Sequence, residues 1–354
     1  MSKHRDSKLK LIIIIAAVLV ILITSGLLIY LNGIGAVDKK NDELISVNIP
    51  SGSGASSIVY ILDENGLIKN MTFAKIHARI GGYNSLQANT YMFSKSMSLP
   101  EIMKAINTGD FEYISKQKFT IVEGATIPQA AAAIAEELPF TKEEIIKKWA
   151  NKEYLNKLID EYWFITDDIL KEGIMYPLEG YIYPETYFIT DEDLTIEEVT
   201  AMLLSKTDEE LSARKDQIKD FGMSIHEFLT FSSIVVWEAG TAEDSEAEMI
   251  AGVFMNRLKK GMAFESDATV NYVHEERTLA ITYSQLESDS LYNTYKHVGI
   301  PIGPICAVPA RTMDAVLNYA DHDYLYFFQM EDGEIIFNKT FEAHSKVARE
   351  NNYY

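Results

Sequence analysis

The chain has 354 residues, 47% of them apolar and 24% charged, a balance that excludes a disordered protein and leaves room for a membrane segment plus two or three folded units. A formal net charge of −20 excludes binding of nucleic acid by electrostatic attraction, and an anionic polymer would have to be held by local hydrogen bonds and stacking. The single cysteine, Cys306, excludes an intrachain disulfide and is expected to be a small buried filler.

Residues 1–10 form a short tail with Lys3, Arg5, Lys8 and Lys10 against one acid, Asp6. Residues 11–31 follow as an apolar run broken only by Thr24, Ser25, Gly26 and Tyr30. At about 1.5 Å per residue such a helix spans roughly 30 Å, the hydrocarbon thickness of a bilayer. The positive flank predicts a single-pass cell-membrane protein with a cytoplasmic N-terminus and an extracytoplasmic remainder. A cleaved signal peptide is the alternative, since Gly33-Ile34-Gly35-Ala36 offers small residues near a cleavage point.

After a charged linker over residues 32–43, Val47-Asn48-Ile49 reads as a strand and residues 50–54 as a turn. An amphipathic helix carrying Ile58, Ile61 and Leu62 ends near Asn65-Gly66. The same strand, glycine turn and helix return 72 residues later: Ile49 aligns with Ile121, Gly52 with Gly124 and Leu62 with Ile134. Between the copies, residues 73–80 and 99–106 read as helices and 87–93 as a strand. Residues 44–115 thus form a small α/β module, either a plain scaffold or a LysM-like module that touches glycan, and residues 116–354 a larger region.

Thr141, with Glu144 three residues on, opens a mostly helical section reaching to about Asp216. It is interrupted at residues 176–187, where four tyrosines surround two prolines. Such a loop serves equally as a sugar-stacking wall or as packing between domains. His226-Glu227 begins like a zinc-protease motif, but Thr230 replaces the second ligand, and no metal or cofactor is expected.

Ser224 and Glu227 form a capping box for a helix whose apolar residues are Phe228, Phe231, Ile234 and Val235, ended by Gly240. Glu238 falls in its last turn beside Trp237. The carbonyl end of a helix and apolar neighbours both disfavour a carboxylate, so its pKa is expected to rise toward that of a general acid. A lone glutamate at a helix end is otherwise a solvated side chain. A second helix is predicted to begin at Ser245, with Glu248 as its capping partner, and to stop at Gly261, with Glu243, Asp244 and Glu246 as partners of its dipole.

Several blocks then resemble the MltG/YceG-like family of endolytic murein transglycosylases. They are residues 178–187, 233–238, 251–262, 266–270, 292–295, 299–305 and 324–327, with Phe337, Thr340 and His344 near the end. The resemblance implies an α+β fold with a LysM-like module followed by a catalytic domain. It places the catalytic glutamate on Glu238 and implies cleavage that leaves 1,6-anhydromuramic ends on nascent peptidoglycan, alongside peptidoglycan synthases. It implies further that Asn293, Tyr292, Glu179, Tyr181 and the 299–305 loop with Gly303 line the glycan cleft, with Asp267 and Asn256 supporting it. A reaction whose nucleophile is the sugar's own C6 hydroxyl needs only one carboxyl group, whereas hydrolysis needs two. The chain departs from the family pattern at Val236, Glu265-Ser266, Ala268, Ile302 and Val308. Two other readings stand beside this one: a wall-binding scaffold without chemistry, and a hydrolase using Glu265 or Asp267 as second acid.

Overall fold

The computed structural model describes residues 2–110, 113–114, 117–189, 194–240, 243–274, 281–330 and 333–351, with side chains from residue 15 onward. It divides into two compact units, Met1–Lys118 with Phe188–Glu192, and Phe119–Tyr187 with Asp193–Tyr354. The expected boundary between residues 115 and 116 falls outside the described residues. The fold is mixed α and β, with long helices and three two-stranded sheets among the described residues.

Helix α1 covers Ser2–Gly33. Its Ile15–Gly33 part has mean hydropathy 2.3, is exposed from Ile15 to Ile29, and is long and apolar enough to cross a membrane. The rest of the smaller unit follows the order strand, helix, helix, strand, helix: β1 (Leu44–Ile49), α2 (Ala55–Glu64), α3 (Met71–Ile80), β2 (Asn89–Ser94) and α4 (Leu99–Thr108). The strands pair antiparallel, Val47 opposite Tyr91, and the alternation of β1 sends Val47 and Ile49 into a core with Ile58, Leu62, Phe93 and Ile102. The end of α1 packs on this unit. Tyr30 hydrogen-bonds the His77 ring at 3.0 Å, and a side chain at Gly33 would collide with Phe73 at 2.2 Å, so only glycine permits the contact.

The second copy of the repeated motif appears where the sequence puts it, its first two strand residues counted with the smaller unit and the rest with the larger. Strand β3 (Gln117–Thr120) leads through Gly124 (φ 71°) into α5 (Ile127–Glu137), as β1 leads through Gly52 (φ 80°) into α2. Both glycines occupy the left-handed region, which explains why the residue type repeats. Then come α6 (Lys142–Trp149), α7 (Lys152–Glu161), β4 (Thr186–Ile189) paired with β3, and α8 (Ile196–Phe221). The capping box of Thr141 and Glu144 is formed, and so is that of Ser224 and Glu227, which opens α9 (Ile225–Ala239).

Helix α9 is buried on nearly every side, with α10 (Asp244–Lys259), α11 (Asp267–Val273) and α13 (Ala310–Leu317) packed around it. Phe231, Phe254 and Phe264 meet edge-on or tilted between these helices. Helix α10 corrects one expectation: it starts one residue early, and its box pairs Glu243 with Glu246 rather than Ser245 with Glu248. Glutamate at the cap gains from the helix dipole as well as from the backbone N–H, and it wins over the serine two positions on. A short helix α12 (Tyr283–Leu286), strands β5 (Tyr326–Gln329) and β6 (Ile335–Asn338) and helix α14 (Phe341–Glu350) complete the unit.

Candidate active site

Glu238 lies in the last turn of α9, and its carboxyl group points to the start of α11. The Ser266 hydroxyl donates to Glu238 Oε1, and the Ala268 backbone N–H also donates to the carboxyl group. Burial raises its pKa to about 7; the Ser266 hydrogen bond opposes the rise, the charge of Asp267 adds to it, and Arg257 and the Ala268 N–H oppose it. The end of α9 is therefore only half of the carboxyl group's setting. The carbonyl end of α9 disfavours a charge there, but the amide end of α11 favours one, and desolvation decides the balance.

Ser266 is the contact that pattern reading missed. It sits 28 residues from Glu238, and its sole local signal is that it caps α11. Its backbone N–H donates to the Thr294 hydroxyl at 3.0 Å, so the 292–295 turn holds the serine in place. Asn293 builds that turn. Its side chain is fully buried, donates to the Leu286 and Ser288 carbonyls at 2.8 Å and accepts from the Tyr295 N–H at 3.0 Å. Tyr295 in turn donates its hydroxyl to Asp267 at 2.6 Å.

Arg257, buried in α10, donates to the carbonyls of Leu325 (2.7 Å) and Phe264 (2.6 Å) and pairs with Glu265 at 3.2 Å. Glu265 is the one described non-glycine residue with positive φ, at 50°, a conformation that costs energy for a side chain with a Cβ. The pairing with Arg257 and the Glu265 N–H bond to the Thr294 carbonyl hold it there, immediately before Ser266. Asn256, next to Arg257, donates to the carbonyls of His322 (2.7 Å) and Tyr324 (3.0 Å) and so pins the segment leading into β5.

The remaining sequence candidates are buried and bonded or packed within the larger unit. Tyr181 is fully buried and hydrogen-bonds His226 Nδ1 at 2.9 Å. His226 Nε2 contacts the Ile302 carbonyl at 2.8 Å; since a carbonyl can only accept, the proton is on Nε2, and Nδ1 accepts from Tyr181. Gly303 fits against that histidine: an added Cβ would lie 2.7 Å from Ile174 and 3.1 Å from the Tyr292 hydroxyl. Ser233 of α9 accepts from the Ile305 N–H at 3.0 Å, so the 299–305 loop is tied to the helix that carries Glu238. Cys306 beside it is fully buried, as expected.

Glu179 is 2% exposed. Both its oxygens accept the Ile127 N–H at 3.1 Å, and one accepts the Tyr272 hydroxyl at 3.2 Å. Burial raises its pKa to about 8, against the pull of those hydrogen bonds. Tyr292 is buried with its ring 4.9 Å from that of Tyr272. In the tyrosine-rich loop, Tyr181, Tyr183 and Tyr187 are packed inside, and Tyr176 lines an open cavity. Among the described residues no three metal-ligating side chains converge.

One carboxyl group, desolvated, hydrogen-bonded by a hydroxyl and able to change protonation near neutrality, defines a site suited to proton transfer. The YceG-like family profile matches residues 47–350. The chain is 35% identical over 312 residues, 88% of its length and 86% of the relative's, to an endolytic murein transglycosylase of Bacillus subtilis (strain 168). It is 28% identical over 330 residues to the endolytic murein transglycosylase of Streptococcus pneumoniae serotype 2, a match that spans 89% of this chain and 59% of that longer protein. A crystal structure of a yceG-like protein from Listeria monocytogenes is similar with TM-score 0.63 at 36% identity, covering 86% of this chain and 99% of that one. The chain belongs to the YceG-like family.

Proposed function

We propose that this protein is an endolytic murein transglycosylase that cuts the MurNAc–GlcNAc bond within nascent glycan strands and leaves 1,6-anhydromuramic ends. The observation that carries the reading is Glu238, whose pKa of about 7 lets it hold a proton and release it at neutral pH. Protonated Glu238 gives its proton to the glycosidic oxygen as the C1–O bond breaks. The resulting carboxylate takes the proton of the C6 hydroxyl as that oxygen attacks C1. One group serves as acid and then as base, and the intramolecular attack needs no bound water. The names of the relatives support murein as substrate.

Asn293, Tyr292, Glu179, Tyr181 and Asn256 hold the cleft from behind, because their polar atoms are buried and bonded within the protein or packed against it; Gly303 supplies close packing. Asp267 is the most open of the candidates. The strand–helix–helix–strand order of the smaller unit supports a LysM-like reading. Helix α1 is compatible with a single-pass anchor, and the basic tail supports a cytoplasmic N-terminus, which would place Glu238 outside the cell where new strands emerge. Action beside peptidoglycan synthases rests on the family resemblance.

Asp267 favours one second reading, hydrolysis, because its charge is felt by Glu238 and a second carboxylate can activate water. Digestion of purified sacculi by the full-length protein in detergent, with glycan ends read by mass spectrometry, separates the two. Anhydro ends are expected; reducing ends would replace the transglycosylase reading with hydrolysis, and no cleavage would leave a wall-binding scaffold.

A further inference from the structure

A cavity of about 300 Å³ opens in the larger unit beside Trp237. This is the small end of the range for sites that hold a ligand, roughly 300–1,000 Å³. Its walls include the rings of Tyr176, Trp237 and Tyr272, the amides of Gln129 and Asn271, and the side chain of Lys142. Two features tie it to Glu238. Trp237 is the residue before the glutamate, with its indole N–H fixed to the Gly124 carbonyl at 3.0 Å. Asn271 stands three residues along α11 from Ala268, whose N–H binds the Glu238 carboxyl group, a rise of about 4.5 Å. The cavity and the Glu238 carboxyl group are therefore flanked by the same two helices, α9 and α11.

Its charge is unusual for a chain of net −20. No acidic residue lines it, and Lys142 enters no ion pair or hydrogen bond among the described residues. Glu144, its near neighbour, is engaged with the Thr141 backbone and hydroxyl. The buried acid behind the wall, Glu179, is held largely neutral at pH 7 and adds little repulsion. An unpaired lysine at the edge of an aromatic, acid-free hollow is suited to a ligand with a carboxylate at one point and apolar groups beside it.

Resting on the murein reading above, we propose that this cavity is the subsite for the stem peptide carried by the muramic acid lactyl group. Lys142 takes a peptide carboxylate, the rings of Tyr176, Trp237 and Tyr272 pack on the apolar side chains, and Gln129 and Asn271 face the peptide backbone. The enzyme then reads the peptide substituent beside the bond it cuts.

The test compares two glycan substrates, strands that keep their stem peptides and strands stripped by an amidase, with full-length wild type, Lys142→Glu and Lys142→Arg. A charge-assisted contact is worth about tenfold in affinity. The wild-type KM is expected to be about tenfold lower for peptide-bearing strands, a ratio that falls close to one in Lys142→Glu and is largely kept in Lys142→Arg. An unchanged ratio in Lys142→Glu, at unchanged melting temperature, overturns the proposal. If the wild type cleaves neither substrate, the murein-cleaving reading fails separately. Calorimetric titration of a synthetic stem tripeptide into the protein then decides the subsite: binding that Lys142→Glu abolishes supports it, and no binding overturns it.

Discussion

Replacing Glu238 by glutamine probes both the chemistry and the cost of keeping a carboxyl group buried. Its pKa rises from 4.5 to about 7 on folding, chiefly through desolvation. Because the folded value is raised, the sign is opposite to that of a salt-bridged acid. Below pH 4.5 the group is protonated folded or unfolded and contributes nothing. Between 4.5 and 7 only the unfolded chain releases its proton, so stability falls, and above pH 7 the loss is constant. At 1.36 kcal/mol per pKa unit the loss reaches about 3 kcal/mol at most. Glutamine keeps the shape, can still accept the Ser266 hydroxyl through its amide oxygen, and cannot ionise. Glu238→Gln is therefore expected to melt close to wild type at pH 4.5 and several degrees higher at pH 8, since each kcal/mol moves Tm by about 2–4 °C in a unit of this size. Circular-dichroism melts of both full-length proteins across that range measure the difference, and sacculus digestion measures activity, expected to be lost. A Tm difference that does not grow with pH would refute the desolvated site. Cleavage by the glutamine variant would refute its role as the acid.

Three further outcomes follow from the same geometry. Ser266→Ala removes a hydrogen bond that holds the Glu238 pKa down, so the alkaline limb of kcat/KM should move up by about one to two pH units; a limb that stays in place would show that the serine does not act on the acid. Asp267→Asn removes a charge that raises that pKa, so the same limb should move down while the products remain anhydro ends; loss of reducing ends in this variant would instead identify Asp267 as the second carboxylate of a hydrolase. Gly303→Ala places a Cβ 2.7 Å from Ile174 and 3.1 Å from the Tyr292 hydroxyl, and should cost about 1–3 kcal/mol in urea unfolding; a neutral effect would mean that the loop is not packed as seen.

The sequence was most legible where structure is local. The boxes at Thr141 and Ser224 are three-residue patterns, and both form. The repeat at 72 residues was visible because each copy needs a left-handed glycine between strand and helix, a demand few residues other than glycine meet without strain. Glu238 at the end of an apolar helix could also be read, together with the reason its pKa should rise. The sequence could not show that the carboxyl group meets the amide end of α11, or that Ser266 donates to it. Nor could periodicity tell that Glu179 is buried against the start of α5, since a glutamate between leucine and glycine reads as a turn. For the tyrosine-rich loop, composition left packing and sugar contact equal. The structure buries Tyr181, Tyr183 and Tyr187 and sets Tyr176 in the wall of a cavity.

A single group that must serve as acid and then as base works best with a pKa near the working pH, because a stronger acid would be deprotonated before the first step and a weaker one would leave a poor balance for both. Desolvation alone would push Glu238 higher, as it does Glu179, which reaches about 8 despite three hydrogen-bond contacts from its neighbours. Glu238 stops at about 7 because Ser266, Arg257 and the Ala268 N–H stabilise its charged form. Two of these stabilisers are held from elsewhere in the chain: Ser266 by Thr294, and Arg257 by the carbonyls of Phe264 and Leu325. The strained turn at Glu265 joins the two arms, since its side chain meets Arg257 and its backbone leads directly into Ser266. Residues 265–266 thus form the link that sets the acid's strength. Changing Glu265 should therefore alter the pH profile of cleavage more than the binding of the strand.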